Sequence, residues 1–158
     1  MSGCCTSSCV TGRICPDGQR YSEKQMALPP KKAVIACEGA CIKGEVARSA
    51  ANLLAYRLQA DNAVRICLGD AATGDSGMAE LVKRAPEVVA IEGCPLCCGL
   101  TVLRSRIPDL AATVIDASKL YSFDRDANFE IFDLSREQIE GYAGIVADHT
   151  VRKCFDQN

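Results

Sequence analysis

Three thiols fall within five residues at Cys94, Cys97 and Cys98, in the segment Glu92-Gly93-Cys94-Pro95-Leu96-Cys97-Cys98-Gly99. Space filling alone does not account for cysteines so closely set. Cys37 and Cys41 add a C-x3-C pair in Cys37-Glu38-Gly39-Ala40-Cys41, and Cys67 stands in Val64-Arg65-Ile66-Cys67-Leu68. Four thiolates satisfy a tetrahedral zinc ion, and four also hold an iron–sulfur cluster. Cys94-Pro95-Leu96-Cys97 is in addition a C-x2-C between an apolar run and a helical pattern, the local setting of dithiol redox motifs. The chemistry to expect is binding of a soft metal, electron carriage by an iron–sulfur cluster, or thiol–disulfide exchange using Cys94 with Cys97 or Cys98. A nucleophile driven by a histidine base is not expected, because the sole histidine, His149, lies far from these motifs on the C-terminal helical pattern. Whether the chain is an enzyme stays open.

These thiols need elements to position them. Each cysteine group follows an apolar run: residues 33–36 before Cys37, 64–66 before Cys67, and 88–91 before Glu92-Gly93-Cys94. The pattern predicts strands at 33–37, 64–68, 87–92 and 113–116, and a short edge strand over Phe129–Phe132. Helices are predicted at 43–59, 78–84 and 97–106. A further helix runs from the capping box Ser135-Arg136-Glu137-Gln138 to about Cys154. Gly69 to Gly77 reads as a turn.

Strands alternating with helices imply an α/β, three-layer Rossmann-like fold. Its mostly parallel sheet of four or five strands is flanked by helices. Ligands of such sheets bind beyond the carboxyl ends of the strands, where strand order reverses. That edge would gather Cys37, Cys41, Cys67, Cys94, Cys97 and Cys98 as metal-ligand candidates. Thiols at helix N-termini are expected to have lowered pKa values. Glu38 and Glu92 could orient ligands or act as acid or base, but read first as solvated loop carboxylates; Arg48 reads as a solvated helix charge and Cys154 as a packing residue.

Composition narrows the class. A chain of 158 residues with 48% hydrophobic residues supports one sizeable core, and with 5% aromatics and no Trp that core rests on Ala, Val, Ile and Leu. The net charge is -2 and no basic run exceeds Lys31-Lys32, so nucleic acid is not an expected partner. No stretch approaches the ~20 apolar residues of a membrane span. A cytoplasmic setting is expected. There, eleven cysteines argue for metal or redox work over structural disulfides. Residues 1–32 read as a Cys-rich flexible leader carrying Cys4, Cys5, Cys9 and Cys15, and 33–158 as the folded domain, with Pro29-Pro30 at the boundary. The leader thiols read either as a metal-loading arm or separate site, or as incidental.

These motifs resemble the DGC-domain family, described as zinc-binding and named for an Asp-Gly-Cys motif at the end of a strand. The matching residues are Cys37 in Cys-Glu-Gly-Ala-Cys, Cys67 in Ile-Cys-Leu-Gly, Cys94 in Glu-Gly-Cys, and Cys98 four residues on. The resemblance covers roughly residues 33 to 140. It implies a zinc-type site made by Cys37, Cys67, Cys94 and Cys98. Glu92 stands where the motif has Asp, and Cys41 and Cys97 are additional thiols.

Overall fold

The β-branched and alanine runs that the sequence marks as strands do form one sheet. In the computed structural model, which describes residues 14–156, the strands are β1 (Lys32–Ala36), β2 (Ala63–Arg65), β3 (Val88–Glu92) and β4 (Thr113–Asp116). All pairings are parallel, in the order β2-β1-β3-β4. Register sets Ala33 against Val88 and Ile35 against Ala90, then Ile91 against Ile115.

Side chains on a strand alternate between faces, so the buried runs feed two separate cores. On one face, Val34, Ala36, Val89 and Ile91 pack against α2 (Ile42–Leu53) and α6 (Arg136–Cys154). There they meet Val46, Ala50, Ile139, Ala143 and Val146. On the other, Ala33, Ile35, Val88 and Ala90 pack against α4 (Gly77–Arg84) and α5 (Cys98–Arg104) through Leu81, Val82, Leu100 and Leu103. Ile35 and Ile91 are fully buried, each a contribution of about 1.5–3 kcal/mol. The sheet and its two helical layers are the expected three-layer α/β fold.

Strand order reverses between β1 and β3: β2 is added on one side of β1, and β3 and β4 on the other. The crevice beyond the carboxyl ends of β1 and β3 is therefore the place where this topology leaves room for a ligand.

Four local expectations are corrected. Pro16–Met26, read as part of the leader, is a helix, α1. Cys15 caps it, Pro16 starts it, and Tyr21 and Met26 pack onto the core shared with α4. Its polar sequence hides it, because only Gly18 and Ser22 are fully buried. Cys4, Cys5 and Cys9 lie outside the described residues. Much of the predicted Gly69–Gly77 turn is a short helix, α3 (Leu68–Thr73), which buries Leu68, Asp70 and Ala71. Phe129–Phe132 is not a strand. Residues Ile131–Asp133 form a 3₁₀ turn, and Phe129 and Phe132 are 73% and 101% exposed, so their alternation carries no burial. The predicted helix at 43–59 ends its α-helical part at Leu53 and continues as a π turn over Leu54–Leu58.

The capping box is present: Ser135 Oγ accepts the Gln138 N–H at 3.2 Å, and Gln138 Oε1 accepts the Ser135 N–H at 2.9 Å. Among the described residues no helix is long and apolar enough to cross a membrane.

Candidate functional site

Two cysteine loops meet at the strand-order reversal. The first runs from Cys37, whose N–H donates to Ile91 O at 2.9 Å and so extends the β1–β3 ladder, to Cys41, which caps α2. The second runs from Gly93 to Cys97, which caps α5. They press together over backbone. A β-carbon on Gly44, in the first turn of α2, would strike the Gly39 carbonyl; one on Gly93 would come 2.8 Å from the Lys43 carbonyl. Only glycine permits this approach. The Cys37 and Cys41 sulfurs flank Gly39, at 3.3 and 3.8 Å from where its β-carbon would stand.

Glu92 organises the second loop from below. Its side chain is fully buried, and its carboxylate accepts the Gly99 N–H at 3.2 Å and the Leu100 N–H at 2.7 Å. The expectation of a solvated carboxylate is thus overturned for Glu92: the first amides of α5 replace water as its donors. Glu38 is partly exposed and pairs with Arg65 at 2.7 Å and Arg48 at 3.8 Å, and Arg48 also pairs with Glu45. Arg48 is an exposed helix charge, as expected, and it is ion-paired.

Cys94 and Cys97 close a turn, with the Cys97 N–H 3.3 Å from the Cys94 carbonyl. Cys97 adopts φ 51° and ψ 45°, the left-handed region. For a residue with a side chain this costs roughly 1–2 kcal/mol. Strain of this kind is tolerated where the surrounding structure fixes it, and it concentrates at functional sites.

The thiols are electrostatically linked. Burial pushes the Cys37 thiol up from its ordinary pKa; the Gly39 and Gly93 N–H groups pull it back, and the charges of Glu92 and Cys98 add to the rise. Burial likewise raises Cys97, with Glu92, Asp116, Cys94 and Cys98 adding to it. The expected lowering at helix N-termini does not hold for these two thiols, because burial and neighbouring negative groups outweigh the amides. Burial also raises the Tyr121 phenol, with Cys41 as the largest charge acting on it. The buried Tyr121 hydroxyl and Asn128 Oδ1 have no hydrogen-bond partner among the described residues. Asn128 also meets the start of α2, its carbonyl accepting the Ile42 N–H at 2.9 Å.

Cys98 acts on the Cys37 thiol, and Cys94 and Cys98 act on Cys97, while Cys41 lies beside Gly39 with Cys37. Cys67 is not among them. Its exposed thiol lines a cleft of about 430 Å³ with Tyr21, Glu38, Arg48, Tyr56 and Arg65. All eight described cysteines are free thiols. Among the described residues no three His, Cys, Asp or Glu side chains stand close enough as a group to hold a metal ion. Cys154 is buried on α6, and burial raises its thiol as well.

Sequence reading ranked solvation of Glu92 above its orienting role, and it missed Arg65, a buried guanidinium that donates to Glu38, Asn52 and the Ile66 carbonyl. The signal for Arg65 was a cation between Val64 and Ile66 in an apolar run. No curated protein and no solved structure matches the chain. The model of the DGC domain matches residues 33–140, which takes in both cysteine loops, the whole sheet and the start of α6. With well over half its length so matched, the chain belongs to the DGC domain family.

Proposed function

We propose that the protein holds a thiophilic metal ion, zinc first, at the crevice between the carboxyl ends of β1 and β3, in metal handling or sensing. The observation that carries this reading is the meeting of two cysteine loops, held together by Gly44 and Gly93 at the one place where strand order reverses. Cys37, Cys94 and Cys98 are the first-choice ligands, with Cys41, Cys97 and Cys67 as further thiols at the same sheet edge. The donor set fits a soft ion: thiolates select zinc, copper(I) or an iron–sulfur cluster over hard cations. A bound cation supplies positive charge that favours thiolates over thiols. The chain's own part is to position sulfur. Gly39 and Gly93 donate N–H groups to Cys37, and Glu92 fixes the turn that carries Cys94 and Cys98. Metal binding by thiolates fits a reducing, cytoplasmic setting, where cysteines stay available as ligands.

The test is the metal content and visible spectrum of anaerobically purified protein. We expect about one equivalent of zinc, lost in Cys94→Ser. Less than one equivalent of any metal, unchanged by that substitution, would sink the reading. A coloured protein after supply of iron and sulfide would redirect it to an iron–sulfur cluster.

A second reading, thiol–disulfide exchange by Cys94 with Cys97, is favoured by the tight turn between them. The raised Cys97 pKa works against it, since the attacking species is the thiolate. Mass spectrometry across redox buffers separates the two. A reversible disulfide containing Cys94 supports exchange, and its absence removes that reading.

A further inference from the structure

We propose that the cleft onto which Cys67 opens is a second ligand site, and that it takes a small organic anion carrying a flat ring. This inference does not rest on the metal-binding reading. The cleft holds about 430 Å³ and lies past the carboxyl end of β2. That volume falls within the range of small-molecule sites.

Sequence spacing builds one wall. Arg48, Asn52 and Tyr56 recur at intervals of four, which keeps them along one side of α2 and of the π turn over Leu54–Leu58 that continues it. Single π turns of this kind are frequent at functional sites. Tyr21 adds a second wall from α1, ahead of the residues 33–140 that match the family. Arg65, the last residue of β2, and Cys67, which precedes α3, complete the lining used here.

Charge selects the ligand. The charged side chains lining the cleft are the guanidiniums of Arg48 and Arg65 and the carboxylate of Glu38. Arg65 is buried and fixed, donating to Asn52, to the Ile66 carbonyl and to Glu38. Glu38 is thereby committed to Arg65, at 2.7 Å, and Arg48 stands farther from it, at 3.8 Å. The other partner of Arg48 is Glu45, which Arg136 shares at 3.1 Å. The cleft thus carries an excess of positive charge, and Arg48 is its exposed cation. A guanidinium forms charge-assisted hydrogen bonds with a carboxylate or a phosphate.

The tyrosines select the ring. Tyr56 is 53% exposed and offers aromatic surface against which a flat ring can pack. Burial first, and Tyr56 next, push the Tyr21 phenol up to about 12, so at neutral pH its hydroxyl is protonated and can donate. The exposed Cys67 thiol reports occupancy, since a bound ligand shields it from alkylation.

The experiment titrates the full chain calorimetrically with benzoate, phenyl phosphate and the neutral benzamide. Alkylation of Cys67 by iodoacetamide is then mapped by mass spectrometry, with the exposed Cys98 as reference. We expect at least one of the anions to bind, and benzamide to bind about tenfold more weakly than it, the difference between a charge-assisted and a neutral hydrogen bond. Preference for benzoate marks the ligand as a carboxylate, and preference for phenyl phosphate marks it as a phosphate. At ten times its dissociation constant the bound anion should slow Cys67 about tenfold and leave Cys98 unchanged. Arg48→Gln should weaken the anion about tenfold. Tyr56→Ala, at an exposed position, should weaken it about fivefold, and it decides if the Arg48 variant fails to fold. Binding of neither anion would overturn the inference. So would benzamide binding as tightly, equal slowing of Cys98 and Cys67, or unchanged affinity in the folded variants.

Discussion

Glu92 shows how one carboxylate can matter without facing a ligand. Its side chain is fully buried, and the amides of Gly99 and Leu100 are its donors. Glu92→Ala leaves two buried N–H groups without an acceptor, at a cost of roughly 2–4 kcal/mol. Urea denaturation of the apo protein should register that loss, and an unchanged midpoint would remove Glu92 as organiser of the loop. Cys154 makes a second prediction at this scale. Burial raises its thiol above the unfolded-chain value of about 8.5. A group raised in the folded state stabilises fully below its unfolded pKa, and that contribution is lost as pH rises through the folded value. Cys154→Ala should therefore flatten part of the alkaline loss of stability, read from melting curves above about pH 8.5. Iodoacetamide at pH 8 should reach Cys67 and Cys98 before Cys154, because the first two are exposed. The residue types at the crevice were legible in the sequence. The burial of Glu92 was not, since its partners are amides that exist as free donors only once α5 has formed and docked.

At the scale of elements, the fit of α2 against the Cys37–Cys41 loop depends on Gly44. A β-carbon there strikes the Gly39 carbonyl, a backbone atom that cannot rotate away. Gly44→Ala should destabilise by about 1–3 kcal/mol through overpacking and weaken zinc binding with it. Gly141, on the exposed side of α6, is the control: nothing lies within 4 Å of its added β-carbon. Gly141→Ala should stabilise by roughly 0.5–1 kcal/mol, the helix preference for Ala over Gly, and leave zinc binding alone. Equal effects of the two in a thermal melt would deny the close approach its role. The strands were readable because β1 and β3 are buried on both faces and therefore continuous in apolar residues. α1 was not, since PDGQRYSEKQM offers no apolar stripe and docks through small residues and Tyr21. Phe129 and Phe132 misled for the opposite reason: they alternate as in a strand yet pack against nothing that would bury them.

At the scale of the molecule, the crevice lies where the two cores, packed on opposite faces of the sheet, come together. α2 belongs to one core and α5 to the other, and each carries a cysteine loop at its N-terminus. An ion bridging the loops would tie both helical layers to the sheet at once, so its stabilisation should be global. Ligand at a hundred times its dissociation constant adds about 2.7 kcal/mol to the native state. For a domain of this size, each kcal/mol raises the melting temperature by about 2–4 °C. Zinc should therefore raise the melting temperature by roughly 5–10 °C in one cooperative transition, and chelator should reverse it. Calorimetry distinguishes this from a local effect. If the ion held only one loop, Cys37→Ser and Cys94→Ser would differ, one abolishing the shift and the other leaving it whole. A shared site requires both substitutions to abolish it, because neither loop alone places thiols on the two sides of the strand reversal.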